Sequence, residues 1–203
     1  MTLTVILVKK VAMLEKTRNS ISSSDETEVR EAFRMISYLL QYPVKRWLQW
    51  MELMEVANLY ENLKIKEPLI AFLNMIGESS LDDLKEQYVS LFDFNSACSL
   101  YLTYLKIGDQ RERGQILAEL KELYRNHGFL MTDEELSDYL PLVLEFSAVA
   151  PLQVSVNLLT SMREPIEKLK SELNNLNSPY VYLIDACLSG CDVLKKITLI
   201  GKG

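Results

Sequence analysis

Few residues in this sequence have the types and spacing that catalysis demands. There is one histidine, His127, placed just before Gly128. A hydrolytic triad needs a nucleophile beside a base that a third group holds, and no nucleophile motif stands near His127. Its position reads instead as a helix C-terminus, where a positive charge suits the helix dipole, so it is assigned as a surface capping histidine. Cys187 and Cys191 lie four apart on one helical face and could ligate a metal or form a redox pair, but Cys98 supplies no well-defined third ligand. Buried free cysteines also behave as small hydrophobes, and that reading prevails. No glycine-rich phosphate loop of the G-x-x-x-x-G-K type occurs. The residues therefore point to no catalytic group, no metal and no cofactor.

Binding chemistry has better candidates. Asp138 and Glu145 flank Pro141 in an otherwise apolar stretch. Two acids beside a groove can receive a basic peptide, although Asp138 also suits a helix N-cap. Tyr101 and Tyr104 share one face of a predicted helix, with Tyr88 on the helix before it. An aromatic stripe is commonly core, but tyrosine is amphipathic and frequent at recognition surfaces.

The elements that must position these residues read as one helix after another. Asp25 with Glu28 has capping-box spacing, followed by Val29, Phe33, Ile36 and Leu40 at helical period. Pro43 fits the first turn of a second helix carrying Trp47, Trp50, Met51 and Met54. Pro68 opens a third through Leu69, Phe72, Leu73 and Ile76, with Gly77 closing it. Ser80 and Asp83 cap a fourth with Leu84, Tyr88 and Leu91, and a fifth runs from about Ser96 to Lys106, stopped by Gly108. Ile116, Leu120, Leu123 and Tyr124 mark a sixth, ended by Gly128. Thr132 with Glu135 forms another capping box, and Ser137 to Pro141 is a kink or a fresh start, because proline removes a helical hydrogen bond. Two more helices span about Leu152 to Leu173, kinked or split at Pro165, and Tyr180 to Lys195.

Bulk properties agree with an all-α, single-domain helical bundle. The 203 residues can bury one full core, and the seven glycines and six prolines are too few for a turn-rich all-β fold. A net charge of −6 argues against nucleic acid and against anionic membrane surfaces. No apolar run reaches the roughly 18 residues of a spanning helix, and Lys9 and Lys10 follow the apolar Thr2 to Val8 instead of preceding it, unlike a signal peptide. Three widely spaced cysteines suit a reducing compartment, so a cytoplasmic location without stable membrane insertion is expected. Residues 1–24 read as an N-terminal extension, 25–197 as the helical domain and 198–203 as a tail.

One ordered series of motifs is more specific. Tyr88-Val89-Ser90-Leu91-Phe92-Asp93-Phe94 is followed by Leu100-Tyr101-Leu102-Thr103-Tyr104, by Gly108-Asp109-Gln110-Arg111-Glu112-Arg113-Gly114, and by Asp138-Tyr139-Leu140-Pro141-Leu142-Val143-Leu144-Glu145-Phe146. In this order and spacing the series resembles the NarJ family of nitrate reductase molybdenum cofactor assembly chaperones (the delta subunit), within the TorD-like redox-enzyme maturation chaperones. Three positions depart from the family pattern: Ser137 stands where proline is common, Tyr139 where many relatives carry histidine, and Gln110 where the family has threonine.

The resemblance implies an all-helical TorD-like bundle that is not an enzyme. It implies a partner, the N-terminal segment of the immature nitrate reductase catalytic (alpha) subunit, held competent for molybdenum cofactor insertion and membrane assembly. Molybdenum cofactor delivery proteins are further expected partners, and the chaperone leaves the finished enzyme. The client groove is expected at Tyr101, Tyr104, Asp138, Tyr139, Pro141, Leu142 and Glu145. Phe92, Asp93, Gly108, Asp109, Arg111 and Gly114 are motif residues with a structural alternative. Two other classes stay open on the residues alone: an accessory structural subunit of an oxidoreductase, and a small-molecule or nucleotide-binding helical protein.

Overall fold

Val29, Phe33, Ile36 and Leu40 are each at most 1% exposed, so the apolar face predicted for the first helix is the face that meets the core. In a computed structural model, which describes residues 21–131 and 135–200, that helix is α1 (Ile21–Leu39). It is followed by α2 (Trp50–Asn58), α3 (Leu63–Glu78), α4 (Leu81–Tyr88), α5 (Leu102–Ile107), α6 (Arg111–Asn126), α7 (Leu140–Ser147), α8 (Leu152–Ser161), α9 (Arg163–Asn175) and α10 (Val181–Ile200). A 3-10 turn, Lys45–Gln49, leads into α2; a π-helical turn, Val89–Asp93, continues α4; and a second 3-10 turn spans Ser96–Cys98. Among the described residues there is no strand, only one isolated antiparallel bridge between Tyr101 and Tyr139. The all-α single-domain bundle expected from sequence is the observed fold, and no described helix is long and apolar enough to cross a membrane.

α10 is the axis of the bundle, packed against α1, α3, α8 and α9. It packs tightly on α1 at Gly190, where a Cβ would lie 2.7 Å from the Phe33 ring. α7 lies against α1 and α8, and α5 against α9 and α6. An aromatic path runs outward from the core: Trp47 to Phe72 at 6.3 Å between ring centroids, Phe72 to Tyr180 at 5.1 Å, and Tyr180 to Phe92 at 4.9 Å. Such offset and edge contacts add to simple apolar burial.

Several local expectations hold. Ser80 and Asp83 form the capping box of α4. Pro165 splits the predicted long helix into α8 and α9, and Pro141 sits in the first turn of a fresh helix, α7. Other expectations are corrected. α1 is already helical at Ile21, so Asp25 caps nothing there; Glu28 instead accepts hydrogen bonds from Glu61 N (2.7 Å) and Asn62 N (3.0 Å), serving the start of α3. Asn62 is the N-cap of α3, and Pro68 lies inside that helix, where the carbonyl it leaves unbonded belongs to the exposed Lys64. Pro43 precedes the 3-10 turn and does not open a helix. Gly77 is helical; a Cβ there would meet the Trp50 ring at 2.5 Å, so packing requires the glycine. The predicted helix from Ser96 to Lys106 is interrupted at Ser99–Tyr101, because Leu100 and Leu102 pair with Leu140 and Asp138 on either side of the Tyr101–Tyr139 bridge. Thr132 of the expected Thr132 to Glu135 box lies outside the described residues.

Candidate functional site

Two short extended pieces build the site. Leu102 N donates to Asp138 O at 3.1 Å and Leu140 N donates to Leu100 O at 2.8 Å, which sets Tyr101 and Tyr139 opposite each other. Each of these tyrosines is also the N-cap residue of a helix, α5 and α7. Cross-strand neighbours point to the same side, and the two rings accordingly meet at 5.4 Å with a 36° tilt, both half-buried. The Tyr101 hydroxyl donates to the exposed Glu135 carboxylate at 2.9 Å.

The tyrosine pair is continued by others. The hydroxyls of Tyr139 and Tyr88 are 3.5 Å apart, and Tyr88 donates to Leu40 O at 3.2 Å. The exposed Tyr42 stands edge-on to Tyr88 at 5.6 Å. Burial pushes the hydroxyls of Tyr88, Tyr139 and Tyr101 above the usual tyrosine range, and for Tyr101 the Glu135 hydrogen bond adds to it. All three are therefore neutral donors at physiological pH. A surface hollow of about 260 Å³, lined by Leu117, Lys121, Met131, Leu136 and Glu135, shares Glu135 with the pair, and neither ring lines it.

Behind the rings lies a buried polar cluster. The Asp138 side chain is fully buried. Its Oδ2 accepts from Thr103 N (3.0 Å) and Thr103 Oγ1 (2.5 Å), so Asp138 caps α5 across the chain and not its own helix. Arg113 Nη2 is 3.6 Å from the same oxygen, its Nε donates to Thr103 Oγ1 at 3.0 Å, and its Nη1 donates to Asp109 at 3.2 Å. The guanidinium stacks 5.7 Å from the Tyr104 ring centroid. Ser137 is fixed beside this cluster, its hydroxyl donating to Leu117 O and its carbonyl accepting from Tyr124. At the other end of α5, the Lys168 ammonium donates to Leu105 O at 2.8 Å, a cation at a helix C-terminus.

The structure thus unites some of the predicted groove residues and separates others. Tyr101 and Tyr139 form one surface pair, and Tyr104 is half-buried under Arg113. Pro141 is buried, its carbonyl accepting from Ser37 at 2.7 Å, and Leu142 is half-buried. Glu145 lies farther along α7, where burial raises its carboxyl group above the usual range and Arg34 opposes the shift. Of the motif residues, Phe92 packs on Tyr88 at 4.8 Å while Asp93 is exposed. Gly108 ends α5 with a φ of 65°, a conformation that favours glycine. Asp109 holds Arg113; Arg111 is exposed; Gly114 faces open space.

Thr103, Arg113, Glu135 and Tyr88 belong to the site although the expected groove omits them. The four-residue spacing of Asp109 and Arg113 was a readable signal, whereas the contacts to Asp138 arise only from chain reversal. The cysteines are elsewhere. Cys187 is a free, buried thiol, and its hydrogen bond with the free Cys191 together with burial raises it. Burial, aided by Glu172, pushes Cys98 up to about 11. His127 Nδ1 lies 2.9 Å from Leu123 O at the end of α6. Among the described residues no three His, Cys, Asp or Glu side chains group to hold a metal.

Comparison with known proteins addresses the same segment. Residues 51–184 match the family model described as nitrate reductase delta subunit. The chain is 35% identical over 170 residues to a probable nitrate reductase molybdenum cofactor assembly chaperone NarJ of Bacillus subtilis, covering 82% of this chain and 91% of that protein. It is 32% identical over 157 residues to NarJ of Escherichia coli K12, covering 76% of this chain and 66% of the relative. It is also 28% identical over 159 residues to that organism's probable chaperone NarW, covering 78% and 67%. The matched region contains the whole Tyr101, Tyr139, Asp138 and Arg113 arrangement, and on these findings the chain belongs to the nitrate reductase delta subunit family.

Proposed function

We propose that this protein is the cytoplasmic assembly chaperone of a respiratory nitrate reductase. It binds the N-terminal segment of the immature catalytic subunit, keeps that subunit open to molybdenum cofactor insertion, and leaves before the enzyme is complete. The names of the relatives support the assembly role. The observation that carries the binding mode is the Tyr101–Tyr139 pair, half-buried, with the Glu135 carboxylate at its edge. Paired rings offer apolar area at low conformational cost, and the carboxylate suits a basic residue on the peptide. The 260 Å³ hollow that shares Glu135 has room for an apolar side chain. Proteins that deliver the cofactor would meet the client while it is held here.

Calorimetric titration of a synthetic peptide of the client N-terminus against Tyr101→Ala and Tyr139→Ala tests the reading. Binding should weaken by about 1–3 kcal/mol, as at interface hot spots, with circular dichroism unchanged. Unchanged affinity in both variants would place the client elsewhere. Retention of the protein in purified, active nitrate reductase would favour an accessory structural subunit instead.

A further inference from the structure

Asp138 was expected to face a basic client, yet none of its surface is exposed. Everything it touches belongs to its own chain. Its Oδ2 holds the Thr103 amide and hydroxyl, and its main-chain carbonyl holds the Leu102 amide, so one residue grips two consecutive positions, Leu102 and Thr103, with side chain and backbone together. Arg113, 15% exposed, closes the arrangement by bonding Thr103 Oγ1 and Asp109 while approaching Asp138 Oδ2. Tyr101 directly precedes the gripped segment and Tyr139 directly follows Asp138, so the two rings that meet at the surface hang from the two sides of this clasp. Oδ2 carries all of these bonds while Oδ1 is buried without a hydrogen-bond partner, and with none of the residue exposed a client cannot reach the carboxyl group without breaking the clasp.

We infer that Asp138 and Arg113 are positioning residues: they act on the client through Tyr101 and Tyr139, fixing the two rings against each other, and contact no part of the peptide. This rests on the proposed client surface. The acid that meets basic residues of the peptide is then Glu135, which is exposed and already bonded to Tyr101. Asp138 and Arg113 should form one energetic unit, because each loses its role when the other is removed.

The experiment uses the full-length chain with 3-fluorotyrosine, comparing wild type with Asp138→Asn, Arg113→Lys, Thr103→Val and the double variant Asp138→Asn/Arg113→Lys, all well below their melting temperatures. Two readouts are taken. The fluorine resonances of Tyr101 and Tyr139 report ring placement, and titration with the synthetic client peptide at low and high salt reports affinity and its ionic-strength dependence. The expected result is that both resonances shift in each variant without added peptide. Affinity should fall about tenfold in each single variant, a typical cost for a lost hot-spot contact, and by no more than that in the double variant. The salt dependence should stay as in wild type, while Glu135→Gln flattens it. Unmoved resonances in Arg113→Lys and Thr103→Val would overturn the inference, as would a flattened salt dependence in Asp138→Asn, which would mean direct contact with the peptide's charge. Failure of the wild-type chain to bind the peptide would count against the client reading alone, since the resonances report the clasp without any ligand.

Discussion

Gly190 and Gly114 are both inside helices, and replacing each with alanine should change stability in opposite directions. In a helix interior alanine is favoured over glycine by about 1 kcal/mol. At Gly114 a Cβ would meet nothing within 4 Å, so that gain is realised in full, and the melting temperature of a chain this size should rise by about 2–4 °C. At Gly190 a Cβ would lie 2.7 Å from Phe33 Cε1 and 3.1 Å from Val29 Cγ1, well inside the ~3.5–4 Å of an ordinary carbon contact. Phe33 and Val29 are at most 1% exposed and cannot turn away. α10 must therefore move off α1, and overpacking of this kind costs about 1–3 kcal/mol. Offset by the helical gain, Gly190→Ala should be up to about 2 kcal/mol less stable than wild type, and about 1–3 kcal/mol less stable than Gly114→Ala. Urea midpoints of the two variants measure the difference directly. Equal stabilisation of both would show that α1 and α10 do not pack as closely as described. Gly114→Ala should also leave client binding untouched, assigning this motif glycine no contact with the peptide.

Other perturbations follow from single contacts. Glu28→Ala removes the acceptor of the Glu61 and Asn62 amides and should cost about 1 kcal/mol, whereas Asp25→Ala, at an exposed helical position, should change the urea midpoint by less than about 0.5 kcal/mol. Seven tyrosines have hydroxyls raised by burial. Raised native values mean that the stability these groups contribute is complete below the ordinary tyrosine value of 10.0 and is lost as pH climbs above it. Tyrosinate absorbance should accordingly lag in the native protein and rise together with alkaline unfolding; smooth ionisation of all tyrosines near that value in a folded chain would contradict this. Cys191, partly exposed, should be alkylated before the buried Cys98 and Cys187, and replacing all three with Ala or Ser should preserve client activation while costing about 1–3 kcal/mol in total.

What the sequence made legible was local. The α1 stripe, the Ser80–Asp83 box and the helix starts at Pro141 and Pro165 each depend on residues within two turns of one another. What it concealed depends on distant partners. Asp25 and Glu28 have the spacing of a capping box, but Glu28 serves amides 33 residues on. Tyr101 has the helical period of its neighbours, but a backbone pairing with Tyr139 takes it out of the helix. Asp138 reads as a cap for the helix it precedes and is a cap for one that ended 31 residues earlier. Local pattern fixes which residues face inward; it does not say which buried acid meets which arginine.

The central claim concerns what happens to the client. Deleting the gene in a strain that respires nitrate, then purifying the catalytic subunit and measuring its molybdenum content against the parent strain, tests it most directly. The account predicts that the subunit accumulates but lacks the cofactor, and that activity returns with the wild-type gene but not with Tyr101→Ala/Tyr139→Ala. A catalytic subunit with full cofactor content and normal nitrate reduction in the deletion strain would contradict it.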